Sequence, residues 1–158
     1  MGGPVSVIEH SETLPGSAEA LFDLTQDYAV RLRWDPFPQS YRFLAPATGP
    51  EVGAVVVVRA HNGQSMTVRY VSYNRPRAAA IDMVDGPWFI AAFAGAWSFK
   101  RVSEQETCVS FKYRVVARPR ALAWLIQPLL NRSFLRHARR RLGALRAYVA
   151  AGGLERPA

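Results

Sequence analysis

A chain of 158 residues that is 49% hydrophobic and 20% charged has the make-up of one globular domain large enough to bury a core, not of a disordered segment. No uninterrupted apolar stretch approaches the ~20 residues of a membrane span, and the N-terminus lacks the basic start and apolar core of a secretory signal. The single Cys108 excludes an intramolecular disulfide and makes a reducing cytoplasm the expected location.

Charge is unevenly placed. Met1 to Val58 holds three Arg against seven acids, whereas Arg59 onward holds seventeen basic residues against five acids, so the +8 excess sits in the later part. Eighteen of the twenty basic residues are Arg, the exceptions being Lys100 and Lys112, a wholesale preference that matches a GC-rich genome as well as it matches phosphate recognition. Net charge therefore speaks to solubility and anionic partners rather than to fold. Met1 to Ser6 fits the loose pattern for N-terminal myristoylation, a short pattern that only eukaryotic acylation uses.

Val5 to Thr13 alternates weakly and reads as a first strand, stopped by Leu14-Pro15-Gly16. Ser17 is placed to cap a helix, with Glu19 in its first turn and Ala18, Leu21, Phe22 and Thr25 at helical spacing. A second helical piece, Tyr28 to Trp34, must stop at Asp35-Pro36, because proline pushes the preceding residue out of the helical region. Phe37-Pro38 continues as an aromatic corner.

From Tyr41 the period becomes that of strands. Tyr41 to Leu44 is short, Ala54 to Ala60 is Val-rich, and Asn62-Gly63 signals a hairpin with both residues at positive φ. Ser65 to Tyr73 and Ala78 to Val84 follow. Phe89 to Arg101 puts Phe89, Phe93, Trp97 and Phe99 on one face and Ile90, Ala92 and Ala94 on the other. Thr107 to Ala117 repeats the pattern with Val109, Phe111, Tyr113 and Val115. A last helix, from about Ala121 to Ala150, carries an apolar stripe of Leu122, Ile126, Leu129/Leu130, Phe134, Ala138, Leu142, Leu145 and Val149. Arg132, Arg136 and Arg140 form a row on its far side, Pro128 kinks it or marks a short preceding turn, and Gly152-Gly153 ends it.

Strand, two short helices, several strands and a closing helix is the helix-grip plan. Pro15-Gly16-Ser17-Ala18-Glu19-Ala20-Leu21-Phe22 leading to Trp34-Asp35-Pro36 resembles the N-terminal signature of the START-like (SRPBCC) superfamily that includes polyketide cyclases. Gly86-Pro87-Trp88, Gly95-Ala96-Trp97-Ser98-Phe99 and Val109-Ser110-Phe111 look like its coenzyme-Q-binding and ribosome-association branch. The resemblance spans roughly Val5 to Val149 and implies one α+β domain over 1–158. It further implies a curved antiparallel sheet of about six to seven strands around the C-terminal helix, with a hydrophobic cavity between them.

As plain core, Phe93, Trp97, Phe99, Phe111 and Tyr113 need no ligand; as a cavity wall they present apolar surface with one orienting hydroxyl. With the resemblance, the expected ligand-binding set is Trp34, Arg59, Tyr70, Met83, Trp88, Phe93, Trp97, Phe111, Tyr113 and Phe134. Met66 and Met83 are adaptable wall residues if they face inward, and Trp34 and Trp88 are expected near the entrance. The expected function is to bind and sequester or transport a lipid, quinone or polyketide-like molecule without a cofactor. One alternative is a polyketide cyclase/dehydratase in which Arg59 and Tyr70 or Tyr113 polarise a carbonyl; another is a ribosome-associated regulator.

The case for an enzyme is thin in the sequence. His10, His61 and His137 are too scattered to suggest a metal site, and no nucleophile triad or phosphate loop appears. Arg59 near a strand end also reads as a solvent-facing residue, and Asp82 as an outer-face one. The Arg132/Arg136/Arg140 row reads as the solvated face of a helix or as a transient contact with an anionic membrane, beside the apolar stretch Leu122 to Leu130. Nucleic acid is disfavoured, because the row has no interleaved aromatics on which bases could stack.

Overall fold

The computed structural model describes residues 6–155, so most of the myristoylation-like segment lies outside the described residues. The elements run β1 (Ser6–Pro15), α1 (Ala18–Gln26), α2 (Tyr28–Trp34), β2 (Pro38–Phe43), β3 (Val55–Ala60), β4 (Ser65–Asn74), β5 (Ala78–Asp85), β6 (Ile90–Arg101), β7 (Glu106–Ala117) and α3 (Ala123–Ala150). A single 3-10 turn, Arg120–Leu122, precedes α3. All seven strands form one antiparallel sheet in the order β1-β7-β6-β5-β4-β3-β2. This is the helix-grip architecture, with two short helices after the first strand and the long helix closing the sheet.

The caps follow local chemistry. The Ser17 hydroxyl accepts from Ala20 N at 3.2 Å, and Asp27 accepts from Ala29 N and Val30 N at 3.0 and 3.2 Å. At the other end Gly152 takes φ +85°, so that Gly153 N reaches Tyr148 O and Gly152 N reaches Val149 O. α3 continues through Pro128, and the short preceding turn ends at Leu122, six residues earlier.

Two strand details differ from the sequence pattern. In the β3–β4 hairpin only Gly63 has positive φ (+87°), and Gly63 N bonds Ala60 O while Ala60 N bonds Gln64 O. The loop is thus three residues with glycine at the left-handed position, not the two-residue turn that Asn62-Gly63 suggested. In β6 the register slips between Ile90 and Ala92, which reverses the facing of its first residues. Ile90 therefore joins Phe93, Gly95, Trp97 and Phe99 in the interior, while Phe89 sits half-buried before the strand.

α3 packs chiefly on β1 and β7, at one end of the strand order. Leu142 and Leu145 are fully enclosed, as is Ala138. The other half of the sheet, β3 to β5, curves past the helix without packing closely on it, and a recess opens between the two. The first turns of α3 overhang the end of this packing: Leu122 and Leu129, expected on the buried stripe, are exposed, as are Trp124 and Leu125.

Candidate functional site: a charged end to an aromatic cavity

The recess has two adjoining chambers that share Phe37, Val58, Met66, Phe134 and Arg141 as walls. The outer one holds about 490 Å³ between α3 and the β3–β4 hairpin, bordered by Pro36, Pro87, Phe89, Ile90, Leu130 and His137. The inner one holds about 70 Å³ and is walled by Tyr70, Phe93, Trp97, Phe111 and Tyr113 from the sheet and by Gln26, Tyr28 and Arg31 from the first two helices. The rings interlock at close range: Trp97 to Phe111 at 4.4 Å, Phe111 to Tyr113 at 4.3 Å, Tyr113 to Phe134 at 5.0 Å and Phe93 to Phe134 at 5.4 Å.

Against this apolar wall stands a buried ion cluster. Pro36 holds Asp35 out of α2 at ψ 117°, which turns its carboxylate back towards α3. Asp35 Oδ2 accepts from Arg141 Nη2 at 2.7 Å and from Arg31 Nη2 at 3.1 Å, one helical turn earlier. Asp35 Oδ1 accepts from Arg141 Nε and from Phe37 N, both at 3.1 Å. Arg141 Nη1 donates to the Tyr113 hydroxyl at 2.8 Å, and the guanidinium lies 4.7 Å from the Phe111 ring centre. Arg31 stacks on Tyr28 at 4.6 Å, yet its buried Nε has no hydrogen-bond partner among the described residues.

Burial by itself pushes the Asp35 carboxyl up, but Arg141 and then Arg31 outweigh it, so the group is held below its ordinary value and stays ionised. Burial likewise works against the charge on Arg141, and Asp35 restores it. Burial raises the Tyr113 hydroxyl against the opposing pull of Arg141, which leaves it a neutral phenol. At the outer chamber burial, followed by Arg141, Arg140 and Arg136, lowers the His137 imidazole and favours its neutral form.

A second polar chain borders the inner chamber. Tyr28 and Tyr70 hydroxyls lie 3.0 Å apart, and Tyr70 donates to Gln26 Oε1 at 3.1 Å, leaving Tyr28 as the donor to Tyr70. Gln26 in turn donates to Thr25 Oγ1, which donates to Phe22 O. Burial, reinforced by Tyr28, raises the Tyr70 hydroxyl far above its ordinary value, so it serves as a neutral hydrogen-bonding group.

Of the residues expected to line a cavity, Tyr70, Phe93, Trp97, Phe111, Tyr113 and Phe134 come together around it, with Met66. Four others lie elsewhere. Arg59 is exposed: Val56 and Val58 of β3 turn inward, and residues one step away, Arg59 among them, face the other side of the sheet. Trp34 is buried behind Trp97, at 6.3 Å edge-on, with its indole N–H donating to Leu24 O. Trp88 is 69% exposed, and only its neighbours Pro87 and Phe89 reach the outer chamber. Met83 packs half-buried on the core beside Gly86 and lines neither chamber.

The residues that pattern reading missed are Arg31, Asp35 and Arg141. Arg141 was hidden at the end of the run Arg139-Arg140-Arg141, although its position gave it away. It stands three residues after Ala138 and four before Leu145, on the buried stripe itself. A charge on an apolar face requires an opposite partner, and Asp35, fixed by Pro36 one turn after Arg31, is that partner.

The sequence profile described as polyketide cyclase/dehydrase and lipid transport matches residues 6–150. A comparison with curated protein sequences finds none that matches. Among solved structures, the Zhui aromatase/cyclase from Streptomyces sp. R1128 superposes with a TM-score of 0.73 at 15% identity, over 95% of this chain and 99% of that one. A START superfamily protein from Mycobacterium smegmatis gives 0.72 at 12% identity, over 90% and 98%. Norcoclaurine synthase from Thalictrum flavum, in complex with dopamine and hydroxybenzaldehyde, gives 0.69 at 11% identity, over 94% and 88%. At these identities the structural likenesses speak for a shared fold.

Proposed function

The chain belongs to the polyketide cyclase/dehydrase and lipid transport family, and on that premise we propose that it binds and sequesters or transports a hydrophobic small molecule between sheet and α3. The observation that carries this reading is the recess itself: about 490 Å³ of space between apolar side chains such as Phe37, Met66, Ile90 and Phe134 and a polar rim at the β3–β4 hairpin, leading to an inner end where tyrosine hydroxyls and guanidiniums converge. Apolar burial at ~25 cal/mol per Å² supplies affinity, and the polar groups at one end fix orientation. The inner 70 Å³ is too small for a ring system, so the body of the ligand occupies the outer chamber and only its polar end reaches Tyr113 and Arg31.

The test is native mass spectrometry of protein purified from its own host, with the released contents identified after denaturation. A lipid, quinone or polyketide-like aromatic is the expected content. Protein that arrives empty and takes up no apolar probe overturns the reading.

Exposed Trp124, Leu125 and Leu129 support a companion step in ligand transfer, a transient contact with an anionic membrane. Arg132 and Arg136 on the following turns are exposed, and their charge complements such a surface. Failure to co-sediment with anionic vesicles at low salt removes this step.

A cyclase reading is favoured by one observation. The Tyr113 hydroxyl accepts from Arg141, and among the described residues no acceptor takes its own proton. That proton is available to polarise a substrate carbonyl, with Arg141 strengthening the donor. The exposed Arg59 has no part in such a step; the arginines beside the cavity tyrosines are Arg31 and Arg141. Loss of turnover in Tyr113→Phe with ligand affinity retained separates this reading from a carrier.

A further inference from the structure

We propose that the inner end of this cavity is an anion site built around Arg31, and that the natural ligand is an apolar molecule carrying one acidic group, a carboxylate or an acidic enol or phenol. The inference rests on the container reading and specifies its ligand class.

The first support is the charge balance. Arg31, Arg140 and Arg141 line the two chambers, and no Asp or Glu lines either. The compensating carboxylate, Asp35, lies behind the wall with its side chain fully enclosed. It is one negative charge against two enclosed guanidiniums, and both its oxygens are already engaged by Arg141, Arg31 and Phe37 N. The tyrosines beside them are neutral and cannot supply the missing charge. One positive charge in an apolar recess is therefore left uncompensated, which is costly unless an anion joins it.

The second support is an open donor. Arg31 Nε is buried and has no hydrogen-bond partner among the described residues, in a residue that lines the inner chamber. That atom is sealed from the chamber in this conformation, so an incoming group takes its proton only when the guanidinium turns towards it, and a water molecule that did so would bring no charge. An anionic oxygen satisfies both deficits at once, with a charge-assisted hydrogen bond. The Tyr113 proton, which has no acceptor among the described residues, gives the same group a second donor from the opposite wall.

The setting limits the anion. A single spare charge beside Phe93, Trp97 and Phe134 suits a monoanion on an apolar body and disfavours a dianionic phosphate. Arg140 at the outer chamber, with His137 held neutral there, keeps the approach attractive to such an acid.

A matched pair of probes tests this: anthracene-2-carboxylate and its methyl ester, titrated into the full chain by fluorescence at neutral pH. The acid is expected to bind about tenfold tighter than the ester or better. Arg31→Met, which leaves the Asp35–Arg141 pair intact, is expected to bring the acid to the ester's affinity and leave the ester unchanged. Arg31→Lys keeps a charge but removes the Nε donor, and is expected to lose part of the preference; it also serves if the methionine variant does not fold. Equal affinity for acid and ester in the unaltered protein overturns the anion site while the container stands. A preference that survives both substitutions assigns it to surface arginines and also overturns the proposal. Binding of neither probe overturns the container and the anion site together.

Discussion

The two ends of α3 reverse what their composition suggests. Its first turns are rich in Leu and Trp and yet face outward, with Trp124 76% and Leu129 63% exposed. Its later turns carry the densest arginine run in the chain, and one member of that run, Arg141, is 4% exposed. Burial here depends on what lies opposite the helix rather than on the residue type alone. Before Leu130 the helix overhangs the strands that could cover it, whereas Arg141 meets a carboxylate placed for it by Pro36. A paired charge can be interior, and an apolar side chain with nothing across from it cannot.

The most forceful way to break this contrast is to remove the carboxylate. Asp35→Ala leaves two guanidiniums buried without their partner and is expected to cost about 3–5 kcal/mol, read as a loss of urea midpoint at unchanged slope. Leu142→Ala, at a fully enclosed site on the same helix, is expected to cost about 2–5 kcal/mol. Tyr113→Phe removes the acceptor for Arg141 Nη1 and is expected to cost about 1–3 kcal/mol. Leu129→Ala, at the overhanging end, is expected to stay within about 0.5 kcal/mol of the parent. If Leu129→Ala destabilised the fold as much as Leu142→Ala, the contrast between the two ends would collapse.

Acid sharpens the same comparison. The folded Asp35 carboxyl is held below its ordinary value by Arg141 and Arg31 against the cost of burial. Its contribution is therefore fully present above the unfolded carboxylate pKa of ~3.9 and is lost as pH falls through the lower folded value. Urea midpoints taken from pH 5 downward should fall in the parent and fall less in Asp35→Asn. Parallel decline in the two proteins would show that other acids set the acid limit.

The sequence made the architecture legible because its signals were local. Ser17 and Asp35-Pro36 mark helix ends by their own chemistry, and alternation through β7 places Val109, Phe111, Tyr113 and Val115 inside. Boundaries moved where pairing decided them: β2 begins at Pro38 because residues 38–43 pair with β3, not because of their composition. The bulge at Ile90 to Ala92 reversed facing that strict alternation had assigned to Ile90 and Phe89. The aromatic wall was visible, but its charged end was not, since Arg141 stands 106 positions after Asp35 and the two meet only when α3 folds back. Arg59 attracted attention by its place on a Val-rich strand, and alternation through Val56 and Val58 sends it outward.

The central claim, that an acidic apolar ligand sits between sheet and α3, is tested most directly by chemical-shift mapping of the isotope-labelled protein as anthracene-2-carboxylate is added. Saturable shifts are expected to concentrate at Phe93, Tyr113 and Phe134 and at the Arg31 Nε–H, with Arg59 unmoved. Shifts confined to Arg59, Arg132 and other outward residues, with the chamber silent at saturation, would contradict it.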